Sequence, residues 1–124
     1  MESKKERVVV LGASQKPGRY SNKAIKMLLQ HGHEVVPVHP TLDTVEGLTV
    51  IHALSEIQGA IDTLTLYVAA DLSSAAADAI IKLHPKRVIF NPDTDNQALE
   101  EQLRQAGIKY EHACTLVLLS TGQF

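Results

Sequence analysis

A chain of 124 residues, 44% hydrophobic and 21% charged, has the size of a single domain, residues 1–124, with enough apolar material for a core without staples. Its formal net charge of −2 gives no general pull toward nucleic acid or an anionic membrane, so phosphate binding must come from locally placed cations. The one cysteine, Cys114, excludes an intramolecular disulfide and makes a reducing cytoplasm the simplest compartment, and no stretch is apolar for the length a secretion signal or membrane span needs.

In chain order, residues 8–11, Val-Val-Val-Leu, have the continuous apolar character of a strand buried on both faces. A loop of small and cationic residues follows: Gly12, Ala13, Ser14, then Lys16, Arg19 and Tyr20. Ala24, Ile25, Leu28 and Leu29 predict a helix over 21–31, opening at Ser21 and ending at Gly32. Gly12 permits a sharp turn and close approach to a ligand. Free N–H groups in the loop and at the helix start, aided by the helix dipole, suit an anion. The stretch reads as a phosphate cradle; the plainer reading is an ordinary strand-to-helix turn rich in small residues.

A second strand is predicted over 34–40, where Pro37 removes a ladder donor and suits a place near an edge. Residues 41–57 read as a polar turn, a short strand at 48–51 and one helical turn near Leu54. A strand over 61–70 leads to one helix marked by Leu72, Ala76, Ala79, Ile80 and Leu83 and stopped by Pro85. Another strand follows over 86–91. Asp95 is the expected N-cap of a helix with Leu99 and Leu103 inward and Gly107 at its end. A last strand, 108–111, leads into an apolar segment where Cys114 is expected as a small buried hydrophobe opening a helix.

Alternating strands and helices predict a Rossmann-like three-layer α/β/α domain with a mostly parallel sheet of five to six strands. Ligands of such sheets bind beyond the carboxyl ends of the strands, where strand order reverses. That rim gathers residues 12–21, His39 and Pro40, the segment from Ala69 to 73, and the segment opening with Asn91 and Pro92.

The nucleotide is narrowed by the end of the second strand. Nicotinamide cofactors want an acidic side chain there for the ribose hydroxyls, and the chain has Val38-His39-Pro40. A 2′-phosphate wants arginine, for which neutral His39 is a poor substitute. The loop itself lacks both Gly-x-Gly-x-x-Gly and the Walker A pattern. An NAD(P)-binding oxidoreductase or redox-sensing domain is therefore the alternative reading.

The chain resembles the small CoA-binding proteins, whose domain is similar to that of the succinyl-CoA synthetase α subunit. The resemblance spans nearly the whole length. It rests on Val-Leu-Gly-Ala-Ser at 10–14, Lys16-Pro17 and Arg19-Tyr20-Ser21, and Val38-His39-Pro40 where the family usually has Val-Asn-Pro. Gly47 before a strand, Ile61-Asp62, Phe90-Asn91-Pro92, Ala106-Gly107-Ile108 and Ala113-Cys114-Thr115 continue it. It implies non-enzymatic binding of coenzyme A or an acyl-CoA. Gly12, Ser14, Lys16, Arg19 and Ser21 would lie near the phosphates, Val38 and Pro40 beside the adenosine half, and the loop after Val68 against the nucleotide. It also leaves room for a homodimer or a separate catalytic partner chain, since the ligase relatives' chemistry needs further domains. The chain departs from the pattern at Asp71 and Asp93, which put negative charge on the rim and would either repel phosphate or hydrogen-bond the pantetheine arm.

No catalytic or metal-binding constellation is predicted. Ser14 lacks a Gly-x-Ser-x-Gly elbow, Asp62 and Asp78 have nothing to mark them beyond being titratable, and the six histidines are scattered. Cys114 lies two residues from His112, so both side chains share a face if that segment is extended.

Overall fold

The computed structural model describes residues 5–124. The predicted first strand forms β1, Arg7–Leu11, and the helix after the loop is α1, Tyr20–Gln30. Strand β2, Glu34–Val38, pairs parallel with β1 in a register that sets Pro37 beside Val10. On its outer side the Pro37 carbonyl accepts the N–H of Ile51 at 2.9 Å, and the His39 N–H donates to the Ile51 carbonyl at 3.1 Å. The nitrogen of Pro37 therefore faces the sheet edge, where the missing donor breaks no ladder bond.

The expected strand over 48–51 is divided. Leu48–Thr49, β4, pairs antiparallel with Thr44–Val45, β3, through a turn at Glu46 and Gly47 with φ of +50° and +78°. Two positive φ values match the right-handed twist of a short hairpin. Ile51 lies beyond it as a bridge to Val38. A single 3-10 turn, Leu54–Glu56, leads to β5, Thr63–Leu66.

The predicted helix over 72–83 is two helices, α2, Ala70–Ala75, and α3, Ala77–Leu83, meeting at Ala76. α3 ends at His84, which adopts φ +52° ahead of Pro85. Strand β6, Arg87–Phe90, precedes α4, Gln97–Gln105, whose N-cap is Asn96 and not Asp95. The reason is reciprocal bonding. Asn96 Oδ1 accepts the Leu99 N–H at 3.0 Å, while its Nδ2 donates to the Ala70 carbonyl, Ser73 Oγ and Ser74 Oγ at 3.1, 2.8 and 2.9 Å. A carboxylate has no donor for those three acceptors, so Asp95 stays exposed while the amide ties α2 to α4. The chain closes with β7, Lys109–His112, and α5, Thr115–Ser120.

Among the described residues the sheet has five parallel strands in the order β2-β1-β5-β6-β7. One face buries Val9, Leu64, Leu66, Val88 and Phe90 against Ile80 of α3 and Leu99 and Leu103 of α4. The other packs Val8, Val10 and Val35 against Ile25 and Leu28 of α1 and Leu119 of α5. The three layers and the parallel sheet agree with the expectation, and strand order reverses between β1 and β5. No described helix is long and apolar enough to cross a membrane.

Candidate ligand cleft at the reversal of strand order

A cleft of about 990 Å³ opens at the carboxyl ends of β1, β2 and β5. The predicted loop residues Gly12, Ala13, Ser14, Lys16, Arg19, Tyr20 and Ser21 line it, as do Val38, His39 and Pro40, Ala69, and Pro92.

The loop is held from three sides. Gly12 and Ala13 both donate their N–H groups to the Val38 carbonyl, at 3.1 and 3.0 Å, so these two are not free for an anion as the sequence suggested. Gly12 has φ +96°, and a Cβ there would stand 2.8 Å from Val68 Cγ1 and 3.0 Å from the Tyr67 carbonyl oxygen. The close approach that requires glycine is thus to the end of β5 and not to a ligand. Further on, Ser14 Oγ accepts the Lys16 N–H at 3.1 Å, and Asn22 Nδ2 donates to the Ser14 carbonyl at 2.8 Å and Glu46 Oε2 at 3.2 Å. Gln15 Nε2 donates to the Thr44 carbonyl at 2.7 Å, docking the hairpin on the loop.

What remains for an anion lies at the helix start. Arg19 is the N-cap of α1 and its side chain caps nothing, so the first-turn N–H groups have no partner within the helix and carry the positive end of its dipole. Lys16 and Arg19 are exposed beside them, and among the described residues neither has an ion-pair partner. Two unpaired cations next to open backbone donors suit a phosphate.

The opposite wall is apolar. Leu54 of the 3-10 turn, Val68, and Leu72, Ala76 and Ala79 from α2 and α3 line it, and Leu72 is 58% exposed. The rim expected from the sequence took in Leu72 and the loop after Val68 but not Leu54, Ala76 or Ala79, although the small residues at 76 and 79, one helical turn apart, were a visible signal. At the third side, Asn91 to Thr94 form a turn in which Thr94 N and Oγ1 both donate to the Asn91 carbonyl, at 3.2 and 2.7 Å. Asp93 takes φ +71° there and lines the cleft. Asp71 is exposed but does not line it.

Asn91 itself stands back from the cleft. It is 1% exposed, and its Nδ2 donates to Thr65 Oγ1 and the Leu66 carbonyl at 2.6 and 2.7 Å while Oδ1 accepts the Thr115 N–H at 2.9 Å. Its polar groups are consumed in joining β5, β6 and α5, which leaves none for a ligand.

At the end of β2, His39 Nδ1 accepts the N–H groups of Thr41 and Leu42, both at 3.1 Å. His52 Nε2 bonds the Leu42 carbonyl at 2.9 Å from the other side, so the loop after His39 is fixed. Tyr67 also lines the cleft; burial pushes its hydroxyl, which sits beside Thr65 and Thr115, up to about 12. It is a neutral phenol at physiological pH and no general base.

Cys114 opens α5 as expected but is half-buried. His112 is turned elsewhere: it stands 3.5 Å from Asp95 Oδ1 and 3.3 Å from Glu100 Oε1 and stacks on Phe90 at 5.1 Å. Among the described residues no group of three or more His, Cys, Asp or Glu is placed to hold a metal ion.

The sheet order and the phosphate-suited loop define a Rossmann-like α/β domain with a nucleotide-type cleft. Residues 6–120 match the family model described as a CoA binding domain. The chain belongs to that CoA-binding domain family. It is 26% identical over 118 residues to the Bacillus subtilis (strain 168) protein YneT, covering 89% of this chain and 87% of that one. A crystal structure of an uncharacterized protein superposes with a TM-score of 0.92 at 41% identity, covering 98% of this chain and all (100%) of the other. The fold recurs in the dinucleotide-forming acetyl-coenzyme A synthetase 1 of Ca. Korarchaeum cryptofilum, with a TM-score of 0.74 at 23% identity; the match covers 85% of this chain and 25% of the synthetase.

Proposed function

We propose that the chain binds coenzyme A or an acyl-CoA in this cleft and does not itself transform it. The observation that carries the reading is the pairing of two cations, Lys16 and Arg19, which have no ion-pair partner among the described residues, with the open N-terminus of α1, across from an apolar wall. Coenzyme A brings a pyrophosphate and a 3′-phosphate, which need more positive charge than NAD does. Each charge-assisted contact contributes about 1.5–3 kcal/mol. Membership of the CoA-binding family supports the same ligand, and the rigid Val38-His39-Pro40 end of β2, which has no carboxylate, disfavours NAD. Lys16, Arg19, Ser14 and Ser21 are the phosphate contacts in this reading, with Gly12 and Ala13 shaping the loop and Tyr20 at its mouth. Val38, His39 and Pro40 border the adenosine, and Ala69 and Pro92 close the far rim. Binding without turnover leaves any chemistry to a separate catalytic partner chain.

The test is mass spectrometry of the ligand released from purified protein, with thermal unfolding in CoA, acetyl-CoA, NAD and NADP. A ligand that binds only the folded chain raises the unfolding temperature with its concentration. CoA and acetyl-CoA are expected to do so. Stabilisation by NAD alone, or CoA binding unchanged in Arg19→Ala, overturns the proposal.

A further inference from the structure

We propose that His39 selects for a phosphate on the ribose, so that this chain distinguishes coenzyme A from its 3′-dephospho form. The assignment rests on the coenzyme A reading above and adds a specificity to it.

The argument begins with the imidazole's two nitrogens. A neutral imidazole has one bare nitrogen and one N–H. Here the Thr41 and Leu42 N–H groups both converge on Nδ1 at 3.1 Å, which requires that nitrogen to be the acceptor. The proton therefore sits on Nε2. Among the described residues Nε2 has no hydrogen-bond partner, while His39 lines the cleft. The histidine is thus a fixed donor with its orientation set by its own backbone.

Its place in the sheet gives the donor a meaning. In open parallel sheets the end of the strand next to the phosphate-loop strand meets the nucleotide's ribose; β2 is that strand, paired with β1 along its length. A carboxylate at such a position accepts from ribose hydroxyls, whereas an N–H donor takes an acceptor, and a neutral hydroxyl oxygen is a weaker one than a charged oxygen. A ribose phosphate offers charged oxygens, the strongest acceptors available there; one neutral N–H holds them less firmly than an arginine's charged fork would, and still favours a phosphate over a bare hydroxyl. A second pinned histidine, His52, holds the same loop through Leu42, so the donor is held in place before any ligand arrives, which lowers the ordering cost on binding.

Titration calorimetry with CoA and 3′-dephospho-CoA tests this on the wild-type chain and His39→Asn. Asparagine is chosen because its side-chain oxygen also accepts backbone N–H groups two residues on, preserving the turn while removing the Nε2 donor. The wild type is expected to prefer CoA, and the substitution to reduce that preference about tenfold or more, as for one hydrogen bond to a charged acceptor, by weakening CoA more than dephospho-CoA. As a second readout that needs no variant, the His39 Nε2 nitrogen resonance should move further on adding CoA than on adding dephospho-CoA. A CoA preference unaltered in His39→Asn, or a resonance that ignores CoA, overturns the assignment. Equal binding of both ligands by the wild type overturns it and leaves the coenzyme A reading standing. Failure of both ligands to bind overturns the two together.

Discussion

Asn91 and Thr115 lock the end of β6 to the start of α5: the Thr115 N–H donates to Asn91 Oδ1 at 2.9 Å while the same side chain, through Nδ2, holds Thr65 and Leu66 of β5. One buried amide thus satisfies polar groups from two elements, β5 and α5. Asn91→Asp removes both donors and sets a carboxylate against the Leu66 carbonyl. The expected loss of stability is about 3 kcal/mol or more, since each buried group left unpaired costs about 1–3 kcal/mol. Urea unfolding measures it, and a change below about 1 kcal/mol contradicts this role.

Gly12 and Gly18 sit in one loop with opposite expectations. Gly12→Ala must accept φ +96° and a Cβ 2.8 Å from Val68 Cγ1, so a loss of about 2 kcal/mol or more is expected. A Cβ at Gly18 meets nothing within 4 Å, and Gly18→Ala is expected to change stability by less than about 0.5 kcal/mol. Unfolding midpoints of the two variants, compared side by side, decide the matter.

His33 makes stability depend on pH. It is buried, packs tilted at 53° against Phe124 with ring centres 5.0 Å apart, and accepts the Glu6 N–H on Nδ1 at 3.0 Å. Burial, the largest influence, lowers its pKa from the ordinary 6.5; nearby Glu6 opposes this, and His31 and Arg87 add to it. Below pH 6.5 the unfolded chain takes up a proton that the folded chain resists. The contribution of His33 is therefore fully present above that pH and is lost as pH falls toward its depressed folded value. His33→Asn, which keeps an acceptor but cannot titrate, is expected to flatten the fall in urea midpoint between about pH 7.5 and 5.5. A variant as acid-sensitive as the wild type refutes the assignment.

Lys16 and Arg19 are expected to act on ligand and not on fold. Both are exposed and neither is ion-paired among the described residues. Lys16→Ala and Arg19→Ala should each weaken CoA binding about tenfold or more while moving stability by less than about 0.5 kcal/mol. Added salt should weaken the wild type more than the double variant, because screening acts on charges the variant lacks. Calorimetry at two salt concentrations reads both effects.

The order of elements, the parallel sheet and the anion-suited loop were legible because they follow from local pattern: apolar β-branched runs, helical spacing and a glycine turn. The N-cap of α4 was not. Asp95 and Asn96 are equally good caps by local preference, and only the three α2 acceptors facing Asn96 favour an amide over a carboxylate. The break of the 72–83 segment at Ala76 was hidden for a related reason: no Gly or Pro marks it, and α2 is tied to α4 by that same amide while α3 packs on the sheet.

The sequence alone determined that this chain forms a Rossmann-like sheet whose first loop carries two cations, because strand and helix periodicity and charge are properties of neighbours along the chain. Tertiary structure decided which polar groups remain available to a ligand. The N–H groups of Gly12 and Ala13 are taken by Val38, and Asn91 is spent on Thr65, Leu66 and Thr115. His39, pinned through Nδ1, is left with a free Nε2 donor. Hydrogen-bond supply is settled between segments distant in sequence, and it is this accounting that turns a loop into a specific site.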